Sequence, residues 1–171
     1  SDVYKRQVPE GNPPFPMVVM PHGGPFVREI VIFDEWAQML ANKGFLVLQP
    51  QYRGSKGYGQ RFYQIAFSKG GQGGYKMQDD KDDGVAWAVA EGLTSSDRVA
   101  MFGWSYGGYA ALVAASRKPQ IYRCVIAGAA VTDPEMQVNY YRYRLRGRSK
   151  VEQLRMWDDS LSPINLSLIH I

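Results

Sequence analysis

The sequence predicts an α/β fold: a mostly parallel sheet with helices on both faces. Three observations carry this. Short, continuous apolar runs recur along the chain, segments with apolar residues at helical spacing alternate with them, and glycine or proline closes most segments. Strands that are apolar throughout belong to parallel sheets covered on both sides, whereas half-exposed strands alternate apolar and polar residues.

Met17-Val18-Val19-Met20 reads as the first buried strand, followed by Pro21-His22-Gly23-Gly24-Pro25. Asp34 to Lys43 reads as a helix, with Trp36, Met39 and Leu40 on one face and Gly44 closing it. Phe45 to Gln49 is the next strand, and a long loop rich in Gly and Tyr runs from Tyr52 to Tyr75. A second helix is expected over Asp82 to Glu91, with Asp79, Asp80, Asp82 and Asp83 at its positive N-terminal end and Gly92 after it. Arg98 to Phe102 is a strand, Gly103 to Gly107 a turn, Gly108 to Arg117 a helix stopped by Pro119, and Cys124 to Ala130 a further strand. With no internal repeat and no linker, residues 8–165 read as one domain. The terminal segments, 1–7 (SDVYKRQ) and 166–171 (LSLIHI), resemble peptides translated from sequencing-adapter DNA. They are expected to be non-native tails and take no part in the fold reading.

The chain has 171 residues, 45% hydrophobic and 21% charged, enough for one domain with a core and unlike fibrous or disordered compositions. No apolar run reaches the roughly 18 residues of a membrane span. A single cysteine, Cys124, rules out an internal disulfide, and with two histidines it leaves no Cys/His zinc site. The net charge of +4 is concentrated: residues 140–155 carry +5, leaving −1 for the rest. A solvated helix face explains that run better than RNA contact through its interleaved tyrosines, and no global nucleic-acid surface is supported.

Gly103-Trp104-Ser105-Tyr106-Gly107-Gly108 fits G-x-S-x-G between a strand and a helix, the context of a nucleophile elbow. Such a turn holds its serine in a strained conformation, and larger neighbours at Gly103 and Gly107 would clash. His22-Gly23-Gly24-Pro25, after the first strand, fits the loop that donates one backbone N–H to an oxyanion hole. Gly24 and Tyr106 are the expected donors, each worth about 10²–10³ in rate. His22 precedes the serine, whereas this arrangement places its base last, so His22 is expected to be structural.

On these residues, with Tyr52-Arg53-Gly54-Ser55 and Gly57-Tyr58-Gly59, the chain resembles the catalytic domain of the prolyl oligopeptidase family of serine peptidases, nearest its acylaminoacyl-peptidase and dipeptidyl-peptidase branches. The resemblance runs from about Pro14 to Asn165. It implies an α/β-hydrolase fold, incomplete at its C-terminal end, and hydrolysis of short peptides through an acyl-enzyme on Ser105. It also implies an N-terminal β-propeller in the full-length parent. Tyr140 or Tyr141 falls where relatives place aromatic residues of the pocket for the residue before the scissile bond; packing of a helix explains them equally. Arg53 is expected to pair with one of the aspartates at 79 to 83. The Gly70-Gly71-Gln72-Gly73-Gly74 run lacks the Lys-Ser/Thr ending of a phosphate loop and reads as flexible loop.

A serine nucleophile needs a base, and the base an orienting acid. After Ser105 the sequence holds one histidine, His170, within the excluded tail. Asp133 is a candidate acid, but Thr132-Asp133-Pro134 reads better as a helix cap with proline at the first helical position. The expectation is a nucleophile and an oxyanion hole without a complete triad, little turnover from this polypeptide, and an unpaired apolar sheet edge that lowers solubility. No cofactor, metal, nucleic acid or membrane is implied. A carboxylic ester hydrolase of the same fold, and a non-catalytic binding domain related to it, are the competing readings.

Overall fold

The computed structural model describes residues 4–68, 72–117, 120–157 and 160–166. Five strands form one sheet: β1 (Tyr4–Gln7), β2 (Phe15–Val19), β3 (Leu46–Pro50), β4 (Thr94–Trp104) and β5 (Cys124–Gly128), in the order β1-β3-β2-β4-β5. β3, β2, β4 and β5 are parallel, and β1 runs antiparallel along β3 with Tyr4 opposite Pro50 and Gln7 opposite Val47. Residues 4–7, set aside in reading the sequence, therefore line one sheet edge. They do so through backbone groups that any non-proline segment offers. The helices are α1 (Glu35–Asn42), α2 (Gln60–Gln64), α3 (Lys76–Ala90), α4 (Tyr106–Arg117), α5 (Pro134–Arg144) and α6 (Gly147–Trp157).

The period of two along each strand sorts the core into layers. Met17, Val19, Leu46, Leu48, Val99 and Met101 pack against Val85 and Ala88 of α3 and Ala111 and Ala114 of α4. The intervening residues Val18, Met20 and Val47 face α1 through Ala37 and Leu40, with Ala100 and Phe102 beside them. Helices thus lie on both faces. α1 stops short of β5, however, where Ile126 is 59% exposed. A third apolar cluster joins Tyr52, Met77, Tyr106, Tyr109, Met156 and Trp157.

Several boundaries differ from expectation, among them β4, which runs from Thr94 to Trp104 rather than from Arg98 to Phe102. α3 begins at Lys76, six residues before Asp82, because Met77 and Gln78 are buried and Gln78 Nε2 donates to Gly73 O at 2.7 Å. The aspartates accordingly lie in the first two turns of α3 rather than ahead of it. α4 begins at Tyr106 and takes Gly107 and Gly108 into its first turn. The Tyr52–Tyr75 stretch contains α2 and a 3₁₀ turn, Ile65–Phe67. β5 ends at Gly128, because Ala129 turns out of the sheet with φ +45°.

Within the glycine run, read as flexible loop, the described Gly73 and Gly74 are closely packed. Gly70 and Gly71 lie outside the described residues. Gly73 N donates to Met156 O at 3.2 Å, and a Cβ on Gly74 would come within 2.9 Å of Tyr109 Oη.

Candidate active site

Ser105 sits between β4 and α4 with φ +58°, a left-handed conformation uncommon outside glycine. Its N–H donates to Gly128 O at 2.9 Å, and its carbonyl accepts from Tyr109 N at 3.0 Å. A Cβ on Gly103 would overlap the Gly107 carbonyl, and one on Gly107 would overlap Pro21 O. On Gly108 it would lie 2.6 Å from Gly128 O. The exits of β2, β4 and β5 therefore converge on one turn, with no room for side chains at its three glycines.

The 22–25 loop closes over this turn. A Cβ on Gly23 would stand 3.5 Å from Ser105 Cβ, so the glycine backbone lies directly against the serine. Gly24 has φ +108°, and a side chain there would press within 2.9 Å of Phe26 N. The Tyr106 N–H belongs to the first turn of α4, whose N–H groups have no acceptor within the helix. The positive end of the helix dipole lies at the same place.

His22, expected to be structural, is tied into the loop by its contacts. Its Nε2 lies 2.9 Å from Ser55 Oγ, its Nδ1 2.8 Å from both Gly23 O and Tyr52 Oη, and its ring stacks on Tyr52 at 4.3 Å. The Tyr52 hydroxyl also reaches His22 O at 2.5 Å. Burial lowers the imidazole pKa to about 4, against a smaller opposing effect from the Gly23 carbonyl, so the ring is neutral near pH 7. Both nitrogens are occupied in holding the loop, which leaves neither for Ser105.

Other parts clamp the elbow from below. The Tyr106 hydroxyl donates to Gly73 O at 2.8 Å, and Trp157 meets the rings of Tyr106 and Tyr109 at 5.8 and 4.9 Å. Arg53 forms the expected pair: Nε and a terminal nitrogen bond the two oxygens of Asp80 at 2.8 and 2.6 Å, and Arg53 N bonds Asp80 as well. Sequence reading placed Tyr52 and Ser55 in the Tyr52-Arg53-Gly54-Ser55 stretch without giving either a role, and it missed Gln78 and Trp157, which belong to no motif. Trp157 ends a segment whose charge marks it as surface.

Asp133 caps α5, accepting from Met136 N at 3.0 Å, which is the reading favoured over a catalytic acid. Tyr140 and Tyr141 lie on α5, which leaves the end of β5 next to the strand carrying Ser105. Their rings are 5.4 Å apart; Tyr140 is 50% exposed with the Arg144 guanidinium 4.6 Å above it. His170 lies outside the described residues.

A cavity of about 180 Å³ abuts the elbow on the α1 side, lined by Gly23, Glu29, Asp34, Trp36, Gln49 and Trp104 among others. A larger one, about 610 Å³, lies between Lys56–Gln60, Tyr63 and the Arg148–Glu152 pair, and no elbow residue lines it. Among the described residues no group of three or more His, Cys, Asp or Glu could hold a metal ion.

The chain is 40% identical over 115 residues to dipeptidyl aminopeptidase BIII of Pseudoxanthomonas mexicana, covering 67% of this chain and 16% of that protein. It is 35% identical over 121 residues to the human acylamino-acid-releasing enzyme, covering 68% of this chain and 16% of that one. Among solved structures, an acylaminoacyl peptidase in complex with Z-Gly-Gly-Phe-chloromethyl ketone superposes with a TM-score of 0.76 at 22% identity, over 95% of this chain and 27% of its own. The chain thus spans about a sixth of the curated relatives it matches, and the superposition establishes the α/β-hydrolase fold. The sequence profile of the prolyl oligopeptidase family matches residues 32–163, the segment that holds the serine turn. By that match this chain is a member of the prolyl oligopeptidase family.

Proposed function

We propose that this chain is the nucleophile-bearing part of a serine peptidase that hydrolyses short peptides through an acyl-enzyme on Ser105. The strained Ser105, pressed against Gly23 at the N-terminus of α4, is the observation that carries this reading. Ser105 Oγ adds to the scissile carbonyl carbon while its proton passes to a base. The carbonyl oxygen becomes an oxyanion held by the N–H groups of Gly24 and Tyr106. Collapse breaks the C–N bond and releases the amine with a proton, and water then hydrolyses the ester. Tyr140 and Tyr141 would flank the residue before the scissile bond.

His22 is committed to Ser55, Gly23 and Tyr52, so the base and its acid come from outside the described residues, and this polypeptide alone turns over little substrate. The parent protein would carry them, together with the propeller that the family resemblance implies.

A chimera tests the assignment. The segment of the Pseudoxanthomonas mexicana dipeptidyl aminopeptidase aligned with this chain is replaced by the chain's own residues. The chimera is expected to release p-nitroaniline from a dipeptidyl anilide, and Ser105→Ala to reduce that rate by about 10⁴-fold or more. A folded chimera without activity overturns the assignment. Turnover by the isolated chain that Ser105→Ala abolishes overturns the absence of a base.

A further inference from the structure

We propose that Tyr52 is a positioning residue of the oxyanion hole, aiming both backbone N–H groups, those of Gly24 and Tyr106, at one point beside Ser105. The inference rests on the peptidase reading and its two donors. Those donors lie on separate segments, the loop after β2 and the first turn of α4, so no local rule sets the angle between them. The loop is the softer arm: Gly23 and Gly24 have no side chains to fix their backbone, and Gly24 stands at φ +108°.

His22 carries a constraint into that loop. A trans peptide is planar, and its C=O and N–H point in opposite directions. The Gly23 carbonyl and the Gly24 N–H belong to one such peptide, so whatever holds Gly23 O aims the Gly24 N–H. His22 Nδ1 lies 2.8 Å from Gly23 O. A carbonyl only accepts, so that contact places the imidazole hydrogen on Nδ1 and leaves Nε2 as an acceptor. The Ser55 hydroxyl, 2.9 Å from Nε2 and 2.7 Å from Tyr52 O, has a proton to match it.

Tyr52 fixes this arrangement and joins it to the other arm. Its side chain is shut from solvent, and burial pushes the phenol well above its ordinary range, so the hydroxyl keeps its proton. Tyr52 Oη donates to His22 O at 2.5 Å and lies 2.8 Å from Nδ1. One hydroxyl therefore holds the 22–23 peptide and the ring that aims the next peptide. The Tyr52 ring stacks on the imidazole with planes 25° apart. It also meets the ring of Tyr106 at 5.5 Å, within the range of favourable aromatic pairs. Tyr106 is pinned at its far end, where its Oη donates to Gly73 O at 2.8 Å and accepts from Gln78 Nε2 at 3.2 Å. A displacement of Tyr52 is thus felt at both donors.

Kinetics of the chimera test the role. Tyr52→Phe deletes the hydroxyl and keeps the ring. Tyr122→Phe, ahead of the start of β5, deletes a second buried hydroxyl, which donates to Asp82 Oδ1 at 2.8 Å. Both should lower the urea midpoint, so stability alone does not separate them. Oxyanion donors act on the transition state more than on bound substrate, so Tyr52→Phe should lower kcat about 10–100-fold and leave KM within about twofold. Tyr122→Phe should leave both constants within about twofold. An unchanged kcat in Tyr52→Phe, a matching loss in Tyr122→Phe, or a loss carried by KM alone overturns the role. An inactive chimera counts against the peptidase reading, and the amide resonances of Gly24 and Tyr106 in the full chain, labelled with ¹⁵N-glycine and ¹⁵N-tyrosine, then decide the positioning. Tyr52→Phe is expected to shift both and Tyr122→Phe neither; resonances that stay in place in Tyr52→Phe overturn it.

Discussion

On the face of the sheet beneath α3 and α4, Met17, Val19, Val99 and Met101 are shut from solvent, and beyond the strand ends Tyr106, Tyr109, Met156 and Trp157 continue that packing. On the α1 face, Trp104 is 53% exposed, and Met39 and Ile126 are open as well. The contrast locates what holds Ser105 in its left-handed conformation. A non-glycine residue at positive φ persists only when its surroundings over-determine it. Here the constraint comes from one side: Gly103, Gly107 and Gly108 against backbone, Tyr106 against Gly73, and Trp157 beneath. On the open side Trp104, Met39 and Ile126 add little to that constraint.

Substitutions on the two sides should therefore differ in cost, and the largest effect belongs to the turn. Gly107→Ala drives a methyl into Pro21 O, and we expect a loss above about 4 kcal/mol or failure to fold, measured by urea unfolding. A stable, folded alanine variant would mean that the turn has slack the geometry denies.

Trp157→Ala removes a side chain that is 5% exposed, and is expected to cost about 3–5 kcal/mol. Trp36→Ala, on the half-open face, should cost about 1 kcal/mol or less. Equal midpoint shifts for the two would erase the contrast between the faces.

The pH dependence of His22 comes next. His22 is held at about 4 instead of 6.5, so between those values the unfolded chain binds more protons than the folded one. Its contribution is complete above about pH 6.5 and is lost as pH falls through the window, by roughly 3 kcal/mol. His22→Asn should flatten that limb of a stability-versus-pH curve, whatever it costs at pH 7.

Lys81, fully buried in α3, gives a slope of the same sign at the alkaline end. Burial lowers its pKa from 10.5 to about 8, so stability rises as pH climbs between those values. Below about pH 8 the cost of the buried ammonium is present in full. Lys81→Met should stabilise the chain by about 1–3 kcal/mol at pH 7 and remove the alkaline rise, both visible in thermal melts across pH.

The smallest effect on stability is expected on the open face. Ile126→Lys on edge strand β5 should change stability by about 0.5 kcal/mol or less. It should nevertheless reduce the concentration-dependent light scattering that an apolar strand edge promotes. Unchanged scattering would place the association surface elsewhere.

The elements and the elbow were legible wherever a local rule governs them. Four apolar runs became β2, β3, β4 and β5; Asp34 and Asp133 cap α1 and α5. The glycines at 103, 107 and 108 sit where backbone excludes a side chain. Less was legible where a partner distant in sequence decides. The Gln78–Gly73 bond and the burial of Met77 carry the start of α3 well ahead of its aspartates. The charged run at 140–155 reads as surface, and its continuation nonetheless buries Met156 and Trp157 under the elbow.

By itself, then, the sequence determined the alternation of strands and helices and the tight serine turn, because periodicity, capping and glycine sterics act within a few residues. Tertiary structure alone decided that Tyr52 and Ser55 lock His22, that Trp157 braces Tyr106, and that Glu29, Asp34 and Gln49 meet beside Ser105. Those contacts join residues 15 to about 50 positions apart. At such separations a side chain's partner is chosen by how the strands are ordered, which no local pattern records.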